Sequence, residues 1–365
     1  MKSVRRGRSA FVICLVLLLV FLAGCGSAPA AKEQPSGGQS NGAAKPAAPG
    51  SVKIRISVCN SMTHPQTIGL SLFKKIVEEE SGGAIQVAIY PNSQLGGERE
   101  SLEQVKNGSL EMCTASAGPL TTFNKKFMVL DIPFAFNDYE TAWMVMDGPA
   151  GQALLKSGES LGFKGLAFME NGFRHVTNTV RPIKTPADLK GIKIRTMEAP
   201  MHMENFKALG ANPTPVPWTE LYLSMQQKIV DGQENPLANI WEVKMYEVQK
   251  YVSLTSHIYD PMPLVANLNW FNGLSKEHQA LIERAAILGQ NHSRFVNKQR
   301  EALLCDLLRS KGMQVNDLTA EEKAQFRAIS QAKVTDLVKK EADPAFVDAW
   351  LKAIEDTQKD VKAGI

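Results

Sequence analysis

Apolar and polar positions change their spacing several times along the chain. Residues 52–58 alternate apolar and polar side chains, the period of a half-buried strand. Residues 65–81 then place Ile68, Leu72, Phe73, Ile76 and Val77 on one helical face, and Gly82-Gly83 stop that helix. Ile85, Val87 and Ile89 alternate again before Pro91, a helix is expected at 97–107, and a short strand at 109–115. This βαβαβ order predicts a parallel sheet. Further on, Leu130–Phe136 reads as an extended apolar segment, 138–157 as a helix, and Gly165–Met169 and Ile192–Thr196 as strands. Between those strands, Thr185-Pro186-Ala187-Asp188 combines an N-cap, a proline at the first helical position and an acid in the first turn. Helices are expected at 199–209, 218–229 and 236–251, with a turn at Asp231-Gly232 and a returning strand over 261–270. From Ser275 to Ser310 the helical pattern contains no proline. At 1.5 Å per residue it reaches ~50 Å, enough to bridge two lobes unless it kinks at Gly289. Thr319-Ala320-Glu321-Glu322 is a capping box for a C-terminal helix.

The first 50 residues follow a different logic. Lys2, Arg5, Arg6 and Arg8 precede an almost wholly apolar run, Phe11–Leu22, which is a signal-peptide core and too short to span a membrane comfortably. It ends in Leu22-Ala23-Gly24-Cys25. That ending resembles a bacterial lipoprotein signal, which would make residues 1–24 the leader and Cys25 the lipidated first residue. The alternative is an ordinary exported chain with an incidental cysteine. Residues 25–50 are rich in Gly, Ser, Ala and Pro and read as a tether, spanning roughly 27 Å as a flexible coil. The expected location is extracytoplasmic, anchored to a bacterial cell envelope.

Charge excludes little beyond nucleic acid. The net +4 comes from the leader alone, which leaves 37 basic and 37 acidic residues in the remainder. Cys59, Cys113 and Cys305 are widely spaced in apolar contexts and read as buried thiols. The six histidines have no metal-ligand spacing, and no hydrolase, nucleotide-binding or dinucleotide motif is present. No cofactor and no metal is expected, and the chain is not read as an enzyme.

Two arginines carry the first positive indication. Arg195 closes the alternating strand Ile192–Ile194, where ligands of open α/β sheets bind, and an arginine fork suits a carboxylate. A solvated arginine or a structural ion pair fits the same pattern. Arg174 follows the strand Gly165–Met169 and on pattern alone reads as a loop charge. Asn235, before Pro236, reads as a helix cap. Trp218 reads either as a core aromatic at a helix start or as an apolar wall over a ligand.

The order of several motifs then resembles one family. The motifs are Tyr90-Pro91-Asn92-Ser93-Gln94-Leu95-Gly96-Gly97, Asp131-Ile132-Pro133-Phe134, Gly172-Phe173-Arg174, Thr185–Arg195, Leu209–Pro215 and Val230–Pro236. They are similar, over about 51–350, to the DctP-type substrate-binding proteins of tripartite ATP-independent periplasmic (TRAP) transporters. The resemblance implies a two-lobed α/β fold like that of periplasmic binding proteins, with a cleft between lobes and long helices bridging them. It divides the body into lobe I, 51–172 with 261–298, and lobe II, 173–260 with 299–365. It implies capture of an organic acid anion, a C4-dicarboxylate or a sugar acid, and delivery to small and large membrane subunits. Arg195 would clamp the carboxylate, Arg174 add a second cationic contact and Asn235 a polar one, with Trp218 beside the ligand. Asn60, Glu98 and Ser116 would line lobe I, the serine departing from the polar or acidic contact of some relatives. Glu198 falls in a specificity region, where its acid is hard to reconcile with a purely anionic ligand unless hydroxyls are read there. His64 opens a helix whose amides favour an anion, or simply caps it. Two other functions remain open: the binding component of a sensory system, and a surface lyase or hydrolase using Glu98, Glu234 and His64.

Overall fold

The computed structural model describes residues 51–364, so the leader, Cys25 and the tether lie outside the described residues. Eleven strands follow in chain order: β1 (Val52–Ser57), β2 (Ile85–Tyr90), β3 (Met112–Thr114), β4 (Phe163–Phe173), β5 (His175–Asn178), β6 (Lys193–Thr196), β7 (Asn212–Pro215), β8 (Gly232–Asn235), β9 (Tyr251–Leu254), β10 (Tyr259–Asn267) and β11 (Gln314–Asp317). They form two sheets, β2-β1-β3-β10-β4 and β11-β9-β5-β8-β6-β7. The expected βαβαβ start is present: β1 pairs in parallel with both β2 and β3, and β10 returns antiparallel between β3 and β4.

Two of the chain's passages between the sheets lie side by side. β4 ends at Phe173 in the first sheet and β5 begins at His175 in the second, so Arg174 alone joins them. The return runs from β9 to β10. The two crossings are stitched together, Arg174 N donating to Ile258 O at 2.8 Å and His257 N to Arg174 O at 3.3 Å. Arg174 is therefore a hinge residue rather than a loop charge.

Lys276–Ser310 is one continuous helix. Its Leu281, Ile282 and Ala285 pack into the first sheet's core, while Leu304, Cys305 and Leu308 pack into the second's. Gly289 does not kink it. A Cβ there would come within 2.7 Å of the Gly69 carbonyl oxygen, so this glycine lets the helix Pro65–Glu80 pass at backbone distance.

Several expectations are corrected. Residues 236–251 are not one helix: Lys244 adopts φ 55°, which ends Leu237–Glu242 and leads through a short 3-10 turn into β9. The Leu130–Phe136 segment starts inside a 3-10 helix, Lys125–Asp131. The turn expected at Asp231-Gly232 gives way at Gly232 to β8, which carries Gln233, Glu234 and Asn235. Pro236 occupies the cap position expected of Asn235. β7 escaped notice because Pro213 and Pro215 oppose a strand reading; it survives as the edge strand of its sheet. The C-terminal region holds two helices, the break falling before Pro344. The first, Ala320–Glu341, carries the expected capping box and packs on Pro200–Ala208 of lobe II. The second, Pro344–Ala363, returns to lobe I and packs on Tyr139–Asp147, its Val347, Trp350 and Ile354 joining the core there. Assigning all of 299–365 to lobe II fails for that helix.

Candidate functional site in the cleft between the sheets

Strand ends from both sheets meet at a narrow cavity of about 20 Å³, walled by Asn60, Glu98 and Ser116 from lobe I and Arg195, Trp218 and Asn235 from lobe II, with Arg174 at the hinge. An adjoining space of about 40 Å³ leads outward past Glu198 and shares Glu98, Arg195 and Trp218 with it. Seven of the nine residues expected to bind ligand thus meet at one cavity, and Glu198, exposed, stands at its mouth. His64 does not line it. Its ring caps the helix Pro65–Glu80 by accepting from Gln66 N, while Nε2 donates to Asn239 Oδ1 at 3.0 Å. Burial first of all lowers its pKa, so the ring is neutral and serves as a cap and a cross-lobe contact. Glu242 adds to this closure, accepting from Ser61 N and, at 3.5 Å, from Asn60.

Arg174 and Arg195 differ in how much of their hydrogen-bonding capacity the protein takes up. Arg174 gives Nε and Nη2 to the Glu234 carboxylate at 2.5 and 2.8 Å, Nη2 to the Glu234 carbonyl at 2.7 Å, and Nη1 to Asp260 at 2.5 Å. Four of its five N–H groups are used. Burial alone would lower its pKa, yet Glu234 and Asp260 outweigh burial and raise it. Its expected part as a full second contact for ligand shrinks to one Nη1 hydrogen. Arg195 is as deeply buried, at 2 % exposure. Only its Nε is engaged, donating to Val216 O at 2.8 Å; among the described residues neither Nη has a hydrogen-bond partner. Burial, and next the Arg174 charge, pull its pKa down to about 10. A buried guanidinium left in that state is complementary to an anion.

Behind the arginines lies a group that sequence reasoning missed. His202 stands 3.2 Å from Asp131 and 3.4 Å from Glu234, all three buried. Burial opposes its charge, but the two carboxylates raise it to about 9, so it is an imidazolium at neutral pH. His257 Nε2 lies 3.0 Å from Glu234, and burial lowers its pKa. Asp260 falls just before the strand expected over 261–270, and nothing in the sequence joins it to Arg174, 86 residues away.

The orientation of Asn235 follows from a chain of amides. Gln249 Nε2 donates to the carbonyls of Val248 and Asp231 at 3.0 and 3.4 Å, and carbonyls only accept. Gln249 Oε1 therefore accepts from Thr177 Oγ1 at 3.0 Å, Thr177 accepts from Gln233 Nε2 at 2.9 Å, and Gln233 Oε1 accepts from Asn235 Nδ2 at 2.5 Å. Asn235 is left with its oxygen uncommitted. Across the cavity, Ser116 gives both N and Oγ to Glu98 Oε1, at 2.9 and 3.0 Å. Burial pushes the Glu98 carboxyl up despite those bonds.

Residues 56–341 match the model of the bacterial extracellular solute-binding proteins, family 7. The chain belongs to that family. A solute-binding protein of Verminephrobacter eiseniae is 40 % identical over 275 residues, covering 75 % of this chain and 82 % of that one. The 2,3-diketo-L-gulonate-binding periplasmic protein YiaO of Escherichia coli is 34 % identical over 305 residues, 84 % of this chain and 92 % of its own. The crystal structure of a TRAP periplasmic solute-binding protein from Polaromonas, bound to D-erythronate, superposes with a TM-score of 0.79 at 36 % identity, covering 83 % of this chain and 98 % of that one. This family 7 member shares their mixed α/β two-sheet architecture. Among its described residues no helix is long and apolar enough to cross a membrane.

Proposed function

We propose that this family 7 protein is the extracytoplasmic receptor of a TRAP transporter. It closes its two lobes on a carboxylate-bearing organic acid and delivers it to separate small and large membrane subunits. Arg195 clamps the carboxylate, with Asn235, Trp218, Asn60, Glu98 and Ser116 around the remainder and Arg174 holding the hinge. Cys25 carries the lipid that anchors the tether to the cell envelope. The observation that carries this reading is the buried guanidinium of Arg195, which engages only its Nε and lines the cleft between the lobes. Charge-assisted hydrogen bonds contribute roughly 1.5–3 kcal/mol each. Two of them would supply a large part of the ~8 kcal/mol of a micromolar complex. The diketogulonate and erythronate of the relatives are carboxylates of the expected kind.

The test is native mass spectrometry of the purified protein, followed by thermal unfolding with each acid identified. The expected result is a bound organic acid that stabilises the parent and leaves Arg195→Ala unstabilised. Stabilisation of that variant equal to the parent's would remove Arg195 from the site. For the anchor, Cys25→Ser is expected in the soluble fraction, and its retention on membranes would refute lipidation at Cys25.

A further inference from the structure

The balance of charge and of hydrogen-bonding groups in the cleft restricts the acid further, given the receptor reading above. We infer that the ligand carries a single carboxylate and bears hydroxyl groups on the rest of its skeleton, and that Glu98 is the residue that turns a second carboxylate away.

Cations are counted first. In the inner cavity they are Arg195 and Arg174, and Arg174 is already matched by Glu234 and Asp260. At the outer mouth Arg99 is more than half exposed, pairs with Glu103 at 3.4 Å, and stands beside Glu100 and Glu198. One carboxylate can therefore be neutralised inside, on Arg195. A second would enter a buried space with no free cation and with Glu98 in its wall. An unpaired buried carboxylate is costly, and a like charge beside it adds to the cost.

The unused groups around the rest of the cavity favour a neutral donor. Asn171 lines the cavity, is 2 % exposed, and has already given Nδ2 to Asp260 at 2.8 Å; its Oδ1 has no partner. Asn235 retains Oδ1 because Gln249, Thr177 and Gln233 fix its amide. Glu98 accepts from Ser116 through Oε1, and among the described residues its Oε2 accepts nothing. These are three acceptors facing one small space. The neutral donors in the same lining are the amide nitrogens of Asn239 and Asn60, the latter drawn toward Glu242 at 3.5 Å, and the indole N–H of Trp218. Neutral donors can orient a hydroxyl but do not offset a full charge. A site whose acceptors need hydrogen rejects an analogue that brings none, because its buried oxygens stay unpaired. A ligand hydroxyl supplies that hydrogen, whereas a methylene or a second carboxylate does not.

The inference is tested by calorimetry and thermal unfolding of the whole mature chain against two sets of acids. One set holds C4 to C6 aldonates and uronates, beginning with D-erythronate; the other holds succinate, fumarate and butyrate. The expected result is that at least one hydroxylated monocarboxylate binds tenfold or more tighter than every member of the second set. Tighter binding of succinate or fumarate than of any aldonate or uronate would overturn the inference and leave the receptor reading standing. Binding by neither set would overturn the inference, and the receptor reading would then stand or fall on whether native mass spectrometry finds a bound organic acid. Glu98→Gln separates the proposed cause from simple fit: the gap between succinate and the preferred acid should narrow by about tenfold. An unchanged gap in a folded Glu98→Gln protein would remove Glu98 as the discriminator.

Discussion

In the hinge, Arg174 meets two carboxylates and a carbonyl; in the wall of lobe II, Arg195 meets one carbonyl. Both side chains are almost fully buried and both border the same cavity. Their surroundings move their basicity in opposite directions, up for Arg174 through Glu234 and Asp260, down to about 10 for Arg195 through burial and the Arg174 charge. Burial alone therefore does not separate a structural arginine from a binding one. What separates them is whether the protein supplies the counter-charge or leaves that to a ligand.

The largest effect that comparison predicts is on the hinge. Arg174→Met removes the cation between Glu234 and Asp260, both buried; Asp260 then keeps no salt-bridge cation among the described residues, and Glu234 keeps only its histidine neighbours. Urea unfolding of the unliganded protein should show a loss of about 3–5 kcal/mol, the usual cost of breaking a buried pair from one side. A loss under about 1 kcal/mol would mean that the two acids take up protons or water at little cost.

The hinge should also respond to pH. His202 titrates near 6.5 when unfolded and is raised to about 9 in the fold by Asp131 and Glu234 against burial. Between those values the folded chain holds a proton that the unfolded chain has released, so stability falls as pH rises. The stabilisation is complete below about 6.5 and gone above about 9. At ~1.36 kcal/mol per pH unit the total loss is at most about 3 kcal/mol. Glu170, pushed by burial to about 7, lowers stability with the same sign but in a lower window, as pH rises from about 4.5 to 7. From pH 7 to 9 Glu170 no longer contributes, but burial holds the Cys59, Cys113 and Cys305 thiols above their ordinary value and adds a decline of the same sign toward pH 9, so the His202 share is the difference between parent and variant. His202→Gln should flatten that decline, and a decline kept unchanged in the variant would assign it to another group.

For the wall, the measured quantity is affinity. Arg195→Ala should weaken the acid at least a hundredfold, about 2.7 kcal/mol. Arg195→Lys retains the charge and loses the fork, and should weaken it about tenfold. Equal losses for both would show that the fork, not the charge, provides the binding.

What the sequence made legible, and what it did not, divides along the same line. The alternation of Val52–Val58 and the long pattern from Ser275 announced β1 and the bridging helix, because both are local periodicities. Arg195 was legible as the end of an apolar strand, and motif order supplied Asn235 and Trp218. The hinge was not legible. Glu234 lies 60 residues and Asp260 86 residues from Arg174, and neither acid carries a local signature that names its partner. His202 and Asp131 likewise come together only through tertiary packing. β7 was hidden by prolines whose missing N–H matters little at a sheet edge, and the return of Pro344–Ala363 to lobe I rests on long-range packing of Val347, Trp350 and Ile354, which no local pattern names.

The smallest expected effect is the most diagnostic. Arg195→Met should leave the unliganded protein about as stable as the parent, or slightly more so. The charged form of Arg195 is disfavoured by burial and by Arg174, so a neutral side chain of similar length relieves an unfavourable interaction. Against that stands one lost hydrogen bond to Val216 O, worth roughly 1 kcal/mol. Unfolding of unliganded Arg195→Met should then fall within about 1 kcal/mol of the parent, while Arg174→Met falls far below it. If Arg195→Met instead destabilised the empty protein as much as Arg174→Met, the wall arginine would be structural too, and the carboxylate clamp would have to be sought elsewhere in the cleft. A neutral or stabilising result would show strain held for binding, since sites kept ready for a charged ligand commonly cost the empty fold some stability.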